Sequence, residues 1–266
     1  MLKIKLYSMY DDFPEFKPAA NESHINLYVD YHLTDCTGPE ENAVALLMEP
    51  RSLLPDMYKF AEEHSTYFRY IFTHDSKLLK LPNAIYFMWA NTWLTTDSEK
   101  TEGISLCTSP KDWCWLHKVR NNLADYFEDD PRVDVFRGEW DSSTIPYKPK
   151  YEPKDYLEHY KFSIIIENDI DELWFTEKIL NCFSTKTVPI YLGATHITDI
   201  FNEDGIIRVN DAAEIIRIVR NLDIEHEYLK RREAIEDNFN RVIGYKTKWR
   251  QRFLNLFSGI LEDIQK

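Results

Sequence analysis

The chain has 266 residues, 44% hydrophobic and 14% aromatic, which is enough apolar mass for one large domain or two small ones. Its net charge of −13 argues against a protein that grips long nucleic acid through the backbone, because such binding needs a basic face. With 7 Gly, 12 Pro and no repeat of fixed period it is not a low-complexity chain, and no segment approaches the roughly 20 apolar residues of a membrane span.

The amino terminus, MLKIKLYSMYDDF, lacks an apolar run of signal-peptide length, so the expectation is a soluble, cytoplasmic protein. Cys36, Cys107, Cys114 and Cys182 are too dispersed for a zinc knuckle or a disulfide framework and are read as buried thiols. The histidines show no metal-ligand spacing either.

Short runs rich in Val, Ile, Tyr and Phe alternate with amphipathic segments, the pattern of parallel sheets covered by helices. In the first half the strands are KIKLYS, INLYVDYHL, AVALLME, YFRYIFTH, AIYFMWA, GISLCTS and VDVFRG, with helices over LLPDMYKFAEEH and WCWLHKVRNNLADYF. The segment DSSTIPYKPKYEP carries Pro146, Pro149 and Pro153 without an apolar period, which predicts a linker over 141–153. The expected organisation is therefore a lobe over 1–140, the linker, and a second lobe over 154–266.

The second lobe reads as helix KDYLEHY, strand KFSIIIE, helix FTEKILNCFST, strand VPIYLG, a short helix near ITDIF, strand GIIRV and helix DAAEIIRIVRNL. The basic clusters YLKRREA and YKTKWRQR are read as solvated helix faces. From Tyr245 on, Trp249, Phe253, Phe257, Ile260, Leu261 and Ile264 share one side of a closing helix.

Chemistry gathers after KFSIIIE. A buried parallel strand there places Glu167 and Asn168 at its carboxyl end, where open α/β sheets collect ligand-binding groups. The next helix begins near Phe175 or Thr176, so Glu177 and Lys178 fall in its first turn beside unpaired N–H groups that attract anions. Glu177 suits ribose hydroxyls and Lys178 suits phosphate, the combination a sugar nucleotide requires. The same residues also suit a structural role, with Thr176 as cap, Glu177 complementing the helix dipole and Lys178 facing water.

The string from Tyr160 to Ala194 resembles the donor-binding motif of the α1,3/4-fucosyltransferases, glycosyltransferase family 10. The matching positions are Tyr160-Lys161-Phe162, Glu167-Asn168, Trp174-Phe175-Thr176-Glu177-Lys178 and Val188-Pro189-Ile190, with Asn168 and Glu177 at the spacing the motif has. The resemblance implies an α/β GT-B fold, with two Rossmann-like lobes whose parallel sheets face a cleft, 1–140 on the acceptor side and 154–266 on the donor side. It implies an inverting transferase that moves L-fucose from GDP-fucose to a glycan hydroxyl, with donor and glycan acceptor as partners and no cofactor or essential metal. Glu49, in Leu47-Met48-Glu49-Pro50, stands where the family's general base is found. Arg120, in the stretch from Ser109-Pro110 to Asn121, stands where a diphosphate-binding arginine is found. The donor set implied is Arg120, Asn168, Trp174, Thr176, Glu177 and Lys178, with Glu167, Pro189 and Gly193 as secondary members.

Two positions depart from the motif: Trp174 replaces a tyrosine, and Leu173 stands where an acidic residue is common. Trp174 keeps open another donor such as UDP-xylose. A non-catalytic nucleotide- or glycan-binding module is the alternative from another class, and a glycoside hydrolase would leave the phosphate-binding groups without a task. The string Asp169-Ile170-Asp171 binds a metal in a different glycosyltransferase fold, but the motif around it belongs to a metal-independent one.

Overall fold

Parallel strands covered by helices on both faces must bury both sides, and the apolar runs of this chain do so. The structure is a computed structural model describing residues 3–8, 24–138 and 151–264. In chain order its elements are β1 (Lys3–Tyr7), β2 (His24–Val29), β3 (Ala43–Leu46), α1 (Pro55–Glu63), β4 (Tyr70–Thr73), β5 (Ala84–Tyr86), β6 (Glu102–Thr108), α2 (Trp115–Phe127) and β7 (Val133–Arg137). They continue with α3 (Pro153–Leu157), β8 (Tyr160–Ile166), α4 (Glu177–Ser184), β9 (Val188–Leu192), β10 (Ile207–Arg208), α5 (Ala212–Asn221), α6 (Ile224–Lys230), α7 (Arg232–Arg241) and α8 (Trp249–Ile264).

The chain divides into two units, the first made of the described parts of Met1–Trp89, Asp171–Trp174 and Trp249–Lys266, the second of those of Ala90–Ile170 and Phe175–Lys248. Each contains one parallel sheet, which is the α/β class expected. The boundary is not where the prolines placed it. β6 pairs with β8 through Ile104 opposite Phe162, so GISLCTS, helix α2 and VDVFRG belong to the second unit rather than to a lobe ending at residue 140. Of the expected linker, 141–150 lie outside the described residues, and Pro153 opens α3, where a proline's missing N–H costs nothing.

In the first unit the strand order is β1-β2-β3-β4-β5, following the sequence. One apolar cluster includes Leu27, Val44, Leu46 and Phe72 with Phe253 and Phe257 of α8; another includes Tyr28, Ala45 and Ile71 with Tyr58 and Ala61 of α1. The carboxyl-terminal helix therefore completes the first unit, which corrects its assignment to the second lobe. Phe253 packs 4.8 Å from Phe72 and 5.6 Å from Phe87 between ring centroids, edge to face. Strand β2 ends at Val29 instead of running through INLYVDYHL, because Asp30 takes a left-handed φ of 48° and starts a 3-10 turn.

In the second unit the order is β10-β9-β8-β6-β7, all parallel. The chain moves outward from β6 to β7, then returns to β8 and proceeds the other way, so the order reverses between β6 and β8. β8 is buried at every position, and Phe162, Ile164 and Ile166 pack with residues of α2 and α5. Of helices α6 and α7, which the sequence shows only as charged clusters, α6 has its start marked by Asp223, whose side chain accepts from the His226 amide at 3.1 Å. Among the described residues no helix is long and apolar enough to cross a membrane. All four cysteines are free thiols; Cys36 and Cys182 are buried, and Cys107 and Cys114 half-buried.

Candidate functional site

A reversal of strand order leaves a crevice at the carboxyl ends of the two strands that flank it, since the connections leave in opposite directions. In the second unit those ends are Thr108 of β6 and Ile166-Glu167-Asn168 of β8. A cavity of about 220 Å³ lies there, lined among others by Thr108, Ser109, Lys111, Arg120, Glu177 and Lys178. The sequence brought Arg120, Glu177 and Lys178 forward; it gave no role to Thr108, the last residue of β6, or to Ser109 and Lys111, which enter only as part of the stretch leading to Arg120.

Glu167 organises the start of α4. Its carboxylate is fully buried and accepts from the Thr176 amide at 2.9 Å, the Thr176 hydroxyl at 2.7 Å and Lys178 Nζ at 3.4 Å. Thr176 is the N-cap, its Oγ1 accepting from the Lys178 amide at 3.3 Å and from Lys178 Nζ at 3.0 Å. Glu177 lies 3.7 Å from the same ammonium. A buried charge is tolerable only when its lone pairs are occupied, and here they are filled by the residues that begin the helix. Glu167 and Thr176 are thus positioning residues, while Glu177 and Lys178 line the cavity.

Gly193 explains how Glu167 fits. A Cβ at this position would lie 2.6 Å from Glu167 Cγ and 2.5 Å from the Tyr191 hydroxyl oxygen, so only glycine leaves room. Pro189, by contrast, sits inside β9 opposite Ser163 and is buried, which removes it from the expected donor contacts. Trp174 is a second correction: its side chain is fully buried in the first unit, where Nε1 donates to the Met48 carbonyl at 3.1 Å and the ring lies 6.2 Å from His74. The indole N–H is directed at the Met48 peptide.

Arg120 is buried, and its Nη2 donates to the carbonyls of Ile166 and Glu167 and to Asn168 Oδ1. Burial lowers its pKa, and the Glu167 carboxylate acts in the opposite direction. His117, one turn earlier on α2, meets Asn168 Oδ1 at 3.0 Å. Since that oxygen already accepts from Arg120, His117 Nε2 must carry the proton, leaving Nδ1 buried with no partner. Burial, assisted by Arg120, pushes the imidazole down to about 4, so it is neutral at pH 7. The His117–Arg120 spacing, three apart on a predicted helix, was the signal available in the sequence.

Glu49 belongs to the first unit, three residues beyond the end of β3, and is half-buried between buried Met48 and buried Pro50. Its amide donates to Asp30 Oδ1 at 3.3 Å and its carbonyl accepts from the Tyr58 hydroxyl at 2.6 Å. Asp169 and Asp171 accept from the amides of Ile170 and Leu173, as turn-forming residues do. Among the described residues no group of His, Cys, Asp and Glu is arranged to hold a metal ion.

Two parallel-sheet α/β units, one with an anion-suited helix start at the point of strand reversal, define the GT-B class of glycosyltransferases. Residues 111–251 match the model for glycosyltransferase family 10 (fucosyltransferase), C-terminal part, and the chain belongs to that family. It is 30% identical over 88 residues to the alpha-(1,3)-fucosyltransferase FucT of Helicobacter pylori, a stretch covering 33% of this chain and 17% of that protein. Its fold is similar to a crystal structure of an alpha1,3-fucosyltransferase with GDP, with a TM-score of 0.52 at 17% identity over 92% of this chain and 79% of that one. It is also similar to TarM, with a TM-score of 0.53 at 10% identity over 88% of this chain and 54% of that one.

Proposed function

We propose that the chain is an inverting fucosyltransferase that moves L-fucose from GDP-fucose to a glycan hydroxyl. The observation that carries this reading is the cavity at the β6/β8 reversal, where Glu177 and Lys178 open the first turn of α4 beside Arg120. In this reading the diphosphate lies against the helix start, Lys178 and the Arg120 guanidinium offset the charge that builds on it, and Glu177 accepts from the ribose hydroxyls. Glu49 takes the proton of the acceptor hydroxyl while that oxygen attacks the anomeric carbon, and the bond to the diphosphate breaks on the opposite face. Asn168, held by Arg120 and His117, fixes the strand end on which the site is built. No metal is needed, because the cations of the chain take that part.

The family membership supports the transfer chemistry; GDP is what one similar structure contains, and it enters here as the proposed nucleotide. The case for another donor stands on Trp174, and the hydrogen bond from its indole to the Met48 carbonyl supports a structural role for that residue. Thermal shifts with GDP, UDP and CMP test the nucleotide: stabilisation by GDP is expected, and stabilisation by UDP alone would reject the fucose donor. Glu49→Gln tests the chemistry: donor binding is expected to persist with transfer lost. A parent protein that binds GDP-fucose but transfers to no glycan in an acceptor screen would favour a binding module instead.

A further inference from the structure

The Met48–Glu49 segment leaves β3 between buried Leu47 and buried Pro50, where main-chain amides and carbonyls withdrawn from water need partners within the protein. Here side chains from separate parts of the first unit take every one of those groups. Asp30 Oδ1 accepts from the Met48 amide at 2.8 Å and the Glu49 amide at 3.3 Å. The Met48 carbonyl accepts from two indoles, Trp89 Nε1 at 2.7 Å and Trp174 Nε1 at 3.1 Å. The Glu49 carbonyl accepts from Tyr58, whose hydroxyl is in turn 3.0 Å from His74 Nε2.

The proton positions in this group are determined. A carbonyl only accepts, so Tyr58 gives its single proton to Glu49, and His74 Nε2 must donate to Tyr58. His74 is completely buried, which pushes its pKa down to about 4 and keeps it neutral with the proton on Nε2. Behind it, Asp75 makes a two-pronged pair with Arg51, Nε to Oδ2 and Nη2 to Oδ1 both at 2.8 Å, and the Arg51 guanidinium lies 4.7 Å from the Tyr58 ring centroid. Asp30 is held in a left-handed conformation, φ 48°, which non-glycine residues rarely adopt and which Asp and Asn tolerate best. Strain of this kind persists only where surrounding contacts over-determine it.

We infer that Asp30, Trp89, Trp174 and Tyr58 form a clamp on the Met48–Glu49 backbone whose task is to fix the direction of the Glu49 side chain, so that these are positioning residues for the transfer step. The inference rests on Glu49 being the general base. General base catalysis requires the carboxylate at hydrogen-bond distance of the hydroxyl it deprotonates, and an error of about 1 Å costs on the order of a hundredfold in rate. The clamp acts on the main chain that carries the carboxylate. It also gives the departure at position 174 a meaning: a side chain there contributes an N–H to the peptide that carries the base.

Two indoles on one carbonyl predict a non-additive result. Trp89→Phe and Trp174→Phe each leave the other donor in place, so each is expected to lower kcat only about threefold. The double variant strands a buried carbonyl and is expected to lower kcat about 30-fold or more, beyond the product of the singles. The donor KM and the thermal shift with GDP stay unchanged, a split that loss of general stability would not produce. Asp30→Ala is expected to lose transfer, and Asp30→Asn, which keeps the accepting oxygen and tolerates the backbone conformation, to recover most of it; if Asp30→Ala does not fold, the tryptophan series decides alone. Glu49→Gln run alongside separates the two ideas. If it retains transfer, the base assignment fails. If it is inactive while the double tryptophan variant keeps the parent kcat, the base stands and the clamp is overturned.

Discussion

Replacing Gly193 with alanine tests the packing that holds the helix start. The new methyl would lie 2.5 Å from the Tyr191 hydroxyl oxygen, 2.6 Å from Tyr191 Cζ and 2.6 Å from Glu167 Cγ, against about 3.5–4.0 Å for comfortable carbon contacts. Neither neighbour can retreat: Tyr191 is 2% exposed with its hydroxyl accepting from the Ala194 amide, and Glu167 is 0% exposed and bound to Thr176 and Lys178. Among the described residues no glycine has a positive φ, so the cost at Gly193 is steric and not conformational. Overpacking of about 1–3 kcal/mol, with weakened bonds to Glu167 adding about 1 kcal/mol, gives a loss of about 2–4 kcal/mol. That corresponds to a fall in Tm of about 5–15 °C by calorimetry, accompanied by weaker binding of GDP. Gly38→Ala is the control, since a Cβ there meets nothing within 4 Å. Equal Tm values for the two variants would refute the claim that Gly193 is required by the fit of Glu167.

Lys178→Met removes the ammonium beside the cavity and is expected to weaken GDP binding about 10- to 100-fold by titration calorimetry while leaving guanosine binding unchanged; equal losses for both would show that the phosphates are held elsewhere. Phe253→Ala empties the space between Phe72 and Phe87 and is expected to cost about 3–5 kcal/mol, seen as an earlier denaturant midpoint. pH dependence has two opposing parts. His74 and His117, pushed down to about 4 by burial, favour the folded state above pH 6.5, and this contribution is lost as the pH falls from 6.5 to about 4. Asp30, raised by burial to about 7 with the Glu49 charge adding to the effect and Tyr58 also facing it, contributes fully below 3.8 and loses that contribution as the pH rises through 7. The Tm of Asp30→Asn relative to the parent is therefore expected to rise between pH 4 and pH 8; a flat difference would show that Asp30 does not titrate in that range.

The donor side of the site was legible because its order in sequence is its order in space. Strand β8, Glu167, the cap Thr176 and the first turn of α4 lie within about a helix and a strand of one another, and both the apolar run and the cap are local signals. Strand existence was legible for the same reason. The unit boundary was not: it depends on β6 pairing with β8, a non-local contact that skips β7, and prolines between β7 and α3 suggested a break where the sheet continues. The placement of α8 was likewise hidden, since an apolar stripe records that a helix is covered and not by which sheet. Helices α6 and α7 escaped because their charges outnumber the apolar residues that would set a period.

Trp174 shows why a motif position can be read correctly and its role still be mistaken. In the sequence it stands two residues before the cap and belongs to the donor string, so a change there suggests a change in the sugar. In the structure the chain between Asp171 and Trp174 belongs to the first unit, and the indole is spent on the Met48 carbonyl. Adjacency along the chain had stood in for adjacency in space. What the residue type at 174 controls is then a hydrogen bond to the peptide carrying Glu49, and a donor-selectivity screen of Trp174→Phe against GDP- and UDP-sugars is expected to show the parent's preference at reduced kcat. A switched donor would return Trp174 to the sugar site.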